Sequence, residues 1–453
     1  MRFRSLPWLG LLAVLAVARP SQAAQDNDAV LVPLPVEKAR SMAPLLRTHD
    51  VALVESNPNG SFKQLTLLTV VAARPDVVRD VVLHAERYPD FIRNLSNTQV
   101  SKNADGTFDH SFQVTYGIVS FASRNRFAAL PAPASLTASG APSPEALGPD
   151  DAPSVELYDP NPAPYGNRHL RFDFYAAGGG TVLVLYAYTN LPGSLEFVRR
   201  FLSVTPLFEH GIAITTALTF ALSIKARAEQ LTPAPGVILP AAHAAGYEFL
   251  LERGPIALFR SHQGRLHETS LITRSTASRE ALLDAARQAS RWRDAIPIIG
   301  RSVELSGPDD QPVVDLQLSL PLFSFHTRYA LRTLGYSVDL LGIAGDLVGS
   351  RLRWDVQSVP RPESPPSTVV EAAPAQPPTA QTAAMAPAGV APSPSASKLI
   401  LRGQQQLDRA SLMLRQLYRI EPLMEYGVNL SVYLVLLQSV RNQAERTPPT
   451  ATH

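Results

Sequence analysis

The sequence predicts an α+β protein in which one unit is written twice, each unit a run of antiparallel strands closed by a long C-terminal helix. Three observations carry that reading: blocks of residues recur in order, each block holds strand-like alternation, and each ends in an apolar helical stretch. Arg87-Tyr88-Pro89-Asp90-Phe91-Ile92 returns as Arg291-Trp292-Arg293-Asp294-Ala295-Ile296, an offset of 204. The same offset joins Ser120-Phe121 to Ser324-Phe325 and Arg124 to Arg328. Leu170-Arg171-Phe172-Asp173 matches Leu352-Arg353-Trp354-Asp355 at 182, and Pro206-Leu207-Phe208-Glu209-His210-Gly211 matches Pro422-Leu423-Met424-Glu425-Tyr426-Gly427 at 216. At that last offset Ala228-Glu229 also falls on Ala444-Glu445. One matching hexapeptide is chance; ordered blocks are a duplication.

The changing offset locates two insertions. The first copy gains residues 131–165, with 9 prolines, and the second gains 360–396, with 10 of the chain's 40. The second insertion is Pro/Ala/Ser/Thr/Gln-rich and cannot bury enough apolar surface to offset its ordering entropy, so disorder is expected there. At the start, Arg2 and Arg4 precede an apolar run from Leu6 to Ala18, and Ser21-Gln22-Ala23 offers a cleavage site. That pattern reads as a signal peptide over 1–23, too short to span a bilayer, and implies a periplasmic or secreted protein. The expected organisation is domain 1 over 24–232, domain 2 over 233–447 and a disordered tail over 448–453.

Within the first copy, Leu65–Ala73 is rich in β-formers and stops at Arg74-Pro75, where proline suits the first turn of a helix. Val77, Val78, Val81 and Val82 then repeat at helical spacing. Asp105-Gly106 signals a hairpin. Phe108, His110, Phe112, Val114 and Tyr116 alternate with polar residues, as do Phe121, Ser123, Asn125 and Phe127 after Gly117, and later Leu170, Phe172 and Phe174. Arg124, Arg126 and Asp173 fall on the opposite, outer face. Gly178-Gly179-Gly180 is a turn into Thr181–Thr189, and a helix is expected from Leu195 to Ala228. The second copy repeats the alternation with Val314, Leu316, Leu318 and Leu320, then Phe325, Tyr329 and Leu331, then Leu352, Trp354 and Val356. Its last strand, Lys398–Gln405, corresponds to Val182–Thr189, which sets Val184, Tyr186 and Tyr188 outward.

The strand, Pro75, Val78, Val82 and Arg87-Tyr88-Pro89-Asp90-Phe91, followed by antiparallel strands and a long helix, resemble the START-like (SRPBCC) superfamily. The nearest-looking branch is the polyketide cyclase and coenzyme Q-binding group. The resemblance implies a tandem helix-grip fold, in each copy a curved antiparallel sheet wrapped around the long helix over an apolar cavity. It also implies a lipid, quinone, sterol or polyketide-like ligand, and it supplies no catalytic triad.

The residues themselves exclude much. No cysteine means no disulfide, thiolate nucleophile or sulfur-ligated zinc. A net charge of +2 argues against a nucleic-acid partner. No P-loop, G-x-S-x-G, H-E-x-x-H or dinucleotide fingerprint occurs, and His262 and His267 are poorly spaced for a metal, so no cofactor or metal is expected. The candidate ligand-binding residues are Phe112, Tyr116, Phe121, Phe127, Phe172, Phe174 and His110 in the first copy, and Phe325, Tyr329 and Trp354 in the second. The aromatic faces either line a pocket or fill a core, since both produce the same alternation. His110 is read first as a rim histidine satisfied by water or backbone, and second as a group that orients a ligand carbonyl or acts as acid or base. The apolar long helices either pack the two copies together or touch a membrane peripherally. The leading function is an exported hydrophobic-ligand carrier. The alternatives are a cyclase or aromatase using His110 and Tyr116, and a periplasmic scaffold with filled cores.

Overall fold

The computed structural model describes residues 31–446 except 58–61, 93–94, 117–118, 131–134, 137–141, 144–149, 161–167, 190–205, 233–245, 263–264, 297, 308–310, 321–322, 360–396, 405–408, 413–414, 417–418 and 420–423. The expected signal peptide over 1–23, the 360–396 insertion, the expected helix start at Leu195 and the C-terminal tail over 448–453 lie outside the described residues.

The protein is α+β, with one large antiparallel sheet and few helices. In chain order the strands are β1 (Asp50–Ser56), β2 (Phe62–Val71), β3 (Leu95–Lys102), β4 (Phe108–Tyr116), β5 (Val119–Ala129), β6 (Ser135–Leu136), β7 (Pro142–Ser143), β8 (Ala152–Tyr158), β9 (Arg168–Ala177) and β10 (Gly180–Thr189). The second half adds β11 (Ile256–His262), β12 (Arg265–Ser275), β13 (Ile299–Ser306), β14 (Pro312–Leu320), β15 (Phe323–Leu334), β16 (Ser337–Gly345), β17 (Arg351–Ser358) and β18 (Ser397–Gln404). β6 and β7 form a separate ribbon. The other strands make a 16-stranded sheet in the order β13-β14-β15-β16-β17-β18-β12-β11-β1-β2-β10-β9-β8-β5-β4-β3.

That order is a palindrome of the repeat, with β1 matching β11, β2 matching β12 and β10 matching β18. The halves meet where β1 pairs antiparallel with β11. There Val51-Ala52-Leu53 faces its own repeat, Ile256-Ala257-Leu258, in the pairs Val51–Leu258, Ala52–Ala257 and Leu53–Ile256. A two-fold relating the halves therefore passes through the Ala52–Ala257 pair.

The two faces of the sheet differ. On one face lie the first long helix (Pro206–Leu231) and the second (Met424–Arg446), each against its own half's central strands and against the other. This is the inner face, with Leu65, Leu67, Phe172, Phe174, Leu183 and Leu185 buried under the first helix. Contact between the helices takes up apolar surface that a membrane could otherwise have used. No helix among the described residues is long and apolar enough to cross a membrane.

Repeated polar contacts fix each helix. Glu229 accepts from the Ala72 N–H at 2.9 Å, and Glu445 accepts from the Thr276 N–H at 3.2 Å and the Ser275 hydroxyl at 2.9 Å. Lys225 reaches Thr69 Oγ1 at 3.3 Å, as Arg441 reaches Thr273 Oγ1 at 3.3 Å. Local signals hold as well. Pro75 starts the helix Pro75–Leu83, and Gly178 and Gly179 take the left-handed conformation, with φ of 54° and 87°, in the β9–β10 turn.

Three expectations need correction. The stretch 131–165 is not only an insertion, because β8 occupies Ala152–Tyr158 and pairs with both β5 and β9. Among the described residues each half contributes eight strands to the main sheet, more than the first strand plus five or six that the family layout implies. The outer positions Val184, Tyr186 and Tyr188 do point away from the helices, yet they are buried. The segment Leu31–Leu46 and residues Leu250 and Leu251 cover them, and the Leu34 N–H donates to the Tyr186 hydroxyl at 2.9 Å.

Candidate ligand site

β4 alternates, so Phe108, His110 and Phe112 turn inward while Asp109 turns out. His110 pairs with Asn125 of β5, and Phe112 pairs with Ser123. A bulge at Asn97, with φ of 50°, breaks the β3 register between Ser96 and Gln99 and leaves Thr98 facing inward beside Phe112. Three polar side chains thus surround one phenylalanine on an apolar face.

None of the three has a hydrogen-bond partner among the described residues. His110 is 0% exposed, and neither its Nδ1 nor its Nε2 has a hydrogen-bond partner. The buried hydroxyls of Thr98 and Ser123 also have none. Aromatic rings enclose the imidazole. Phe112 stacks on it at 4.7 Å and 25°, Tyr88 meets it edge-on at 5.5 Å, and Phe127 lies 5.9 Å away. Phe108 stacks on Phe127 at 4.6 Å, and Tyr88 also meets Phe220 of the long helix edge-on at 5.9 Å. Tyr88 is no acid here, because its hydroxyl donates to the Val82 carbonyl at 2.6 Å and burial pushes its pKa up.

Burial pulls the His110 pKa down to about 4. At neutral pH the ring is uncharged, with one N–H to donate and one lone pair to accept. Buried polar atoms without partners cost roughly 1–3 kcal/mol each, so a native site that keeps them has a use for them. A ligand with hydroxyl or carbonyl oxygens on a flat apolar frame satisfies these groups while its frame contacts the rings. The expected rim position of His110 is not what the structure has.

Further along the His110–Asn125 row, Asp159 and Arg168 sit where β8 and β9 adjoin. The Asp159 N–H donates to the Arg168 carbonyl at 3.1 Å, and the side chains approach to 3.8 Å. Arg168 Nε is buried without a partner, and burial lowers the guanidinium's pKa against the opposing effect of Asp159. The row runs from a neutral imidazole to a guanidinium.

The other candidates are placed as follows. Phe112, Phe127, Phe172 and Phe174 are buried on the inner face. Phe172 and Phe174 lie on β9, three strands from β4 in the sheet order. Tyr116 and Phe121 belong to β4 and β5, but their side chains lie outside the described residues. Phe325, Tyr329 and Trp354 are buried on the second half's inner face, where Trp354 meets Trp292 edge-on at 6.2 Å. Thr98, Ser123, Asn125 and Arg168 are the residues that sequence reading missed. Ser123 and Asn125 were visible as polar intruders in an apolar alternation. Thr98 was hidden by the bulge, and Arg168 by its place at the start of a strand.

Offset by 204, the same positions in the second half are closed. Thr98 becomes Ser302, which donates to the Ala289 carbonyl at 2.5 Å, and His110 becomes Val314. Ser123 becomes Thr327, which donates to the Ala344 carbonyl at 3.1 Å. Asn125 becomes Tyr329, which bonds the Ser350 hydroxyl at 3.2 Å, and that hydroxyl donates to the Leu347 carbonyl at 2.6 Å. Burial raises the Tyr329 pKa to about 12. Trp354 Nε1 has no partner. Between sheet and helix, Tyr433 lies flat over Gly403, where an added Cβ would meet its ring at 2.3 Å. The first half has Ala217 and Ala187 at those positions.

Apart from Asp159 and Arg168, the charged pairs stay out of the site. Asp109 binds Arg124 at 2.6 Å and Arg126 at 2.7 Å, and the Arg126 hydrogen bond does most to hold its carboxyl down to about 2. Asp173 takes hydrogen bonds from Ser154, Arg171 and Tyr175, as Asp355 does from Ser337 and Arg353. These clusters are outward, as expected, but Asp173 is fully buried under the N-terminal segment rather than solvent-exposed. No group of three or more metal-binding side chains occurs among the described residues.

No protein-family model and no curated protein matches the chain. Among solved structures, the chain aligns with a di-domain ARO/CYC protein, a START superfamily protein and a STAR-related lipid transfer protein, all at TM-scores below 0.3. The di-domain ARO/CYC BexL of the BE-7585A biosynthetic pathway is 10% identical with a TM-score of 0.25, over 85% of this chain and 100% of that one. A START superfamily protein from Mycobacterium smegmatis is 12% identical with a TM-score of 0.28, over 40% of this chain and 98% of that one. A STAR-related lipid transfer protein from Xanthomonas axonopodis is 12% identical with a TM-score of 0.24, over 37% of this chain and 89% of that one. Identities this low leave the chemistry of the site to be read from its own residues.

Proposed function

We propose that the protein binds a hydrophobic small molecule on the inner face of its first half and carries or sequesters it after export. In this reading each half, 24–232 and 233–447, is a helix-grip unit whose curved sheet wraps its long helix, and only the first unit takes ligand. The carrying observation is the group of unpartnered polar atoms on Thr98, His110 and Ser123 inside an aromatic wall, at positions that the second half makes apolar or satisfies internally. Affinity comes from apolar burial, at about 25 cal/mol per Å², and orientation from the three polar side chains. A lipid, quinone or polyketide-like frame with an oxygen at one end fits that chemistry.

His110 is a positioning group here. A neutral imidazole with a pKa near 4 holds a ligand oxygen but is a poor base at neutral pH. The test is solvent extraction of gently purified full-length protein followed by mass spectrometry. A co-purifying apolar compound is expected; a chain that neither retains nor takes up any apolar compound sinks the reading.

A further inference from the structure

We propose that the outer face of the second half, over β13–β17, docks onto an anionic lipid surface. The register builds an apolar row across four strands, because Leu305 pairs with Val313, Val313 with Ala330, and Ala330 with Leu341. Val303 and Ile343 extend the two ends of the row on the same face. Four of these side chains are open to solvent: Val303 and Leu305 at 38%, Leu341 at 43% and Ile343 at 44%. The matching face of the first half has Gln99 and Ser101 where the second has Val303 and Leu305. The apolar patch therefore belongs to one half and is not a property of the fold.

Charge chooses the occupant. Across β13–β17 the described residues of this face carry Arg301, Arg328, Arg332, Arg351 and Arg353, with His326, against Asp315, Asp339 and Asp355, and Asp346 at its edge accepts from the His326 N–H at 2.8 Å. Asp315 is shared by Arg301, His326 and Arg328, at 3.2, 2.7 and 3.3 Å. Arg332 and Arg351 are exposed and have no ion pair among the described residues. Arg351 pairs across from Leu341, which sets an exposed guanidinium beside an exposed leucine. Apolar side chains that enter a headgroup layer, beside cations that meet its phosphates, are the means by which a surface holds an anionic membrane. A second copy of the chain would set these arginines against each other. The expected peripheral membrane contact through the long helices moves, in this proposal, to the sheet.

Co-sedimentation of the full chain with phosphatidylcholine vesicles, with and without phosphatidylglycerol, tests this. Binding is expected only with phosphatidylglycerol and is expected to weaken with salt. Leu341→Asp with Ile343→Asp is expected to abolish it, and Arg332→Gln with Arg351→Gln to lower it roughly twenty- to thirtyfold. Both pairs are exposed, so unchanged thermal melting checks folding, and Ser101→Asp on the first half's outer face is expected to change nothing. No binding to either vesicle, or binding untouched by both double variants, overturns the proposal. So does a dimer in light scattering that Leu341→Asp dissolves.

Discussion

The two halves share a strand order, a long helix and the Glu229/Glu445 contact, yet their inner faces are finished differently. In the second, Tyr433 lies over Gly403, Tyr329 and Ser350 bond each other, and Thr327 is tied to a carbonyl. In the first, Ala217 stands in place of Tyr433, and polar atoms of Thr98, His110 and Ser123 are left without partners among the described residues. In the proposed reading, one scaffold serves once as a packed core and once as a ligand site. The difference lies in a few inward side chains and not in topology, as expected when a repeat gives up stability for binding in one copy only.

The comparison breaks most visibly at Tyr433. Tyr433→Ala removes a ring packed on backbone and is expected to cost about 3–5 kcal/mol in denaturant unfolding. Ala217→Tyr, the reverse change in the first half, is expected to abolish ligand retention, because Ala187 supplies the Cβ that Gly403 lacks. If Ala217→Tyr binds ligand normally, the space between helix and sheet is not the site.

His110 gives the next largest effect. The unfolded imidazole takes a proton near 6.5 and the folded one only near 4, so the unfolded state binds more protons between those values. Stability is therefore full above pH 6.5 and falls as pH drops through that window, by up to about 3 kcal/mol. His110→Phe is expected to flatten this dependence and raise stability at pH 5 while weakening ligand retention. A pH profile identical to wild type contradicts the burial of that ring.

Hydroxyl deletions sharpen the contrast on a finer scale. Thr327→Val breaks a satisfied hydrogen bond and is expected to cost about 1 kcal/mol, whereas Ser123→Ala removes an unpartnered group and is expected to be neutral or stabilising. Equal losses at the two positions would mean that the halves are finished alike. The smallest effect is expected at Arg124, half exposed beside Asp109, where Arg124→Ala should shift unfolding by less than about 1 kcal/mol.

Much of the fold was legible in the sequence, and the reasons are local. The Arg87–Ile92 repeat survives because Tyr88 and Trp292 both plug the core with their polar atoms bonded to carbonyls of the preceding helix. Alternation marked β4, β5 and β14 because the outer face of each carries polar side chains such as Asp109, Arg124 and Asp315. β1 and β11 were missed because they lie at the centre of the sheet and are buried on both faces, so Val51–Val54 and Ile256–Phe259 show no alternation. β8 was hidden because it holds Pro153 itself and lies among the prolines of the flanking loops. Pattern placed His110, Phe112 and Phe127 on one face. Whether a polar atom there finds a partner depends on contacts between distant residues, such as Ser302 with Ala289, which no local pattern encodes.

The most direct test of the central claim is the number of ligands per chain, counted by native mass spectrometry on the full-length protein and on His110→Phe. The account predicts one ligand per chain in the wild type and its loss in the variant, with the fold intact. Two ligands per chain, or one that His110→Phe leaves in place, would contradict it.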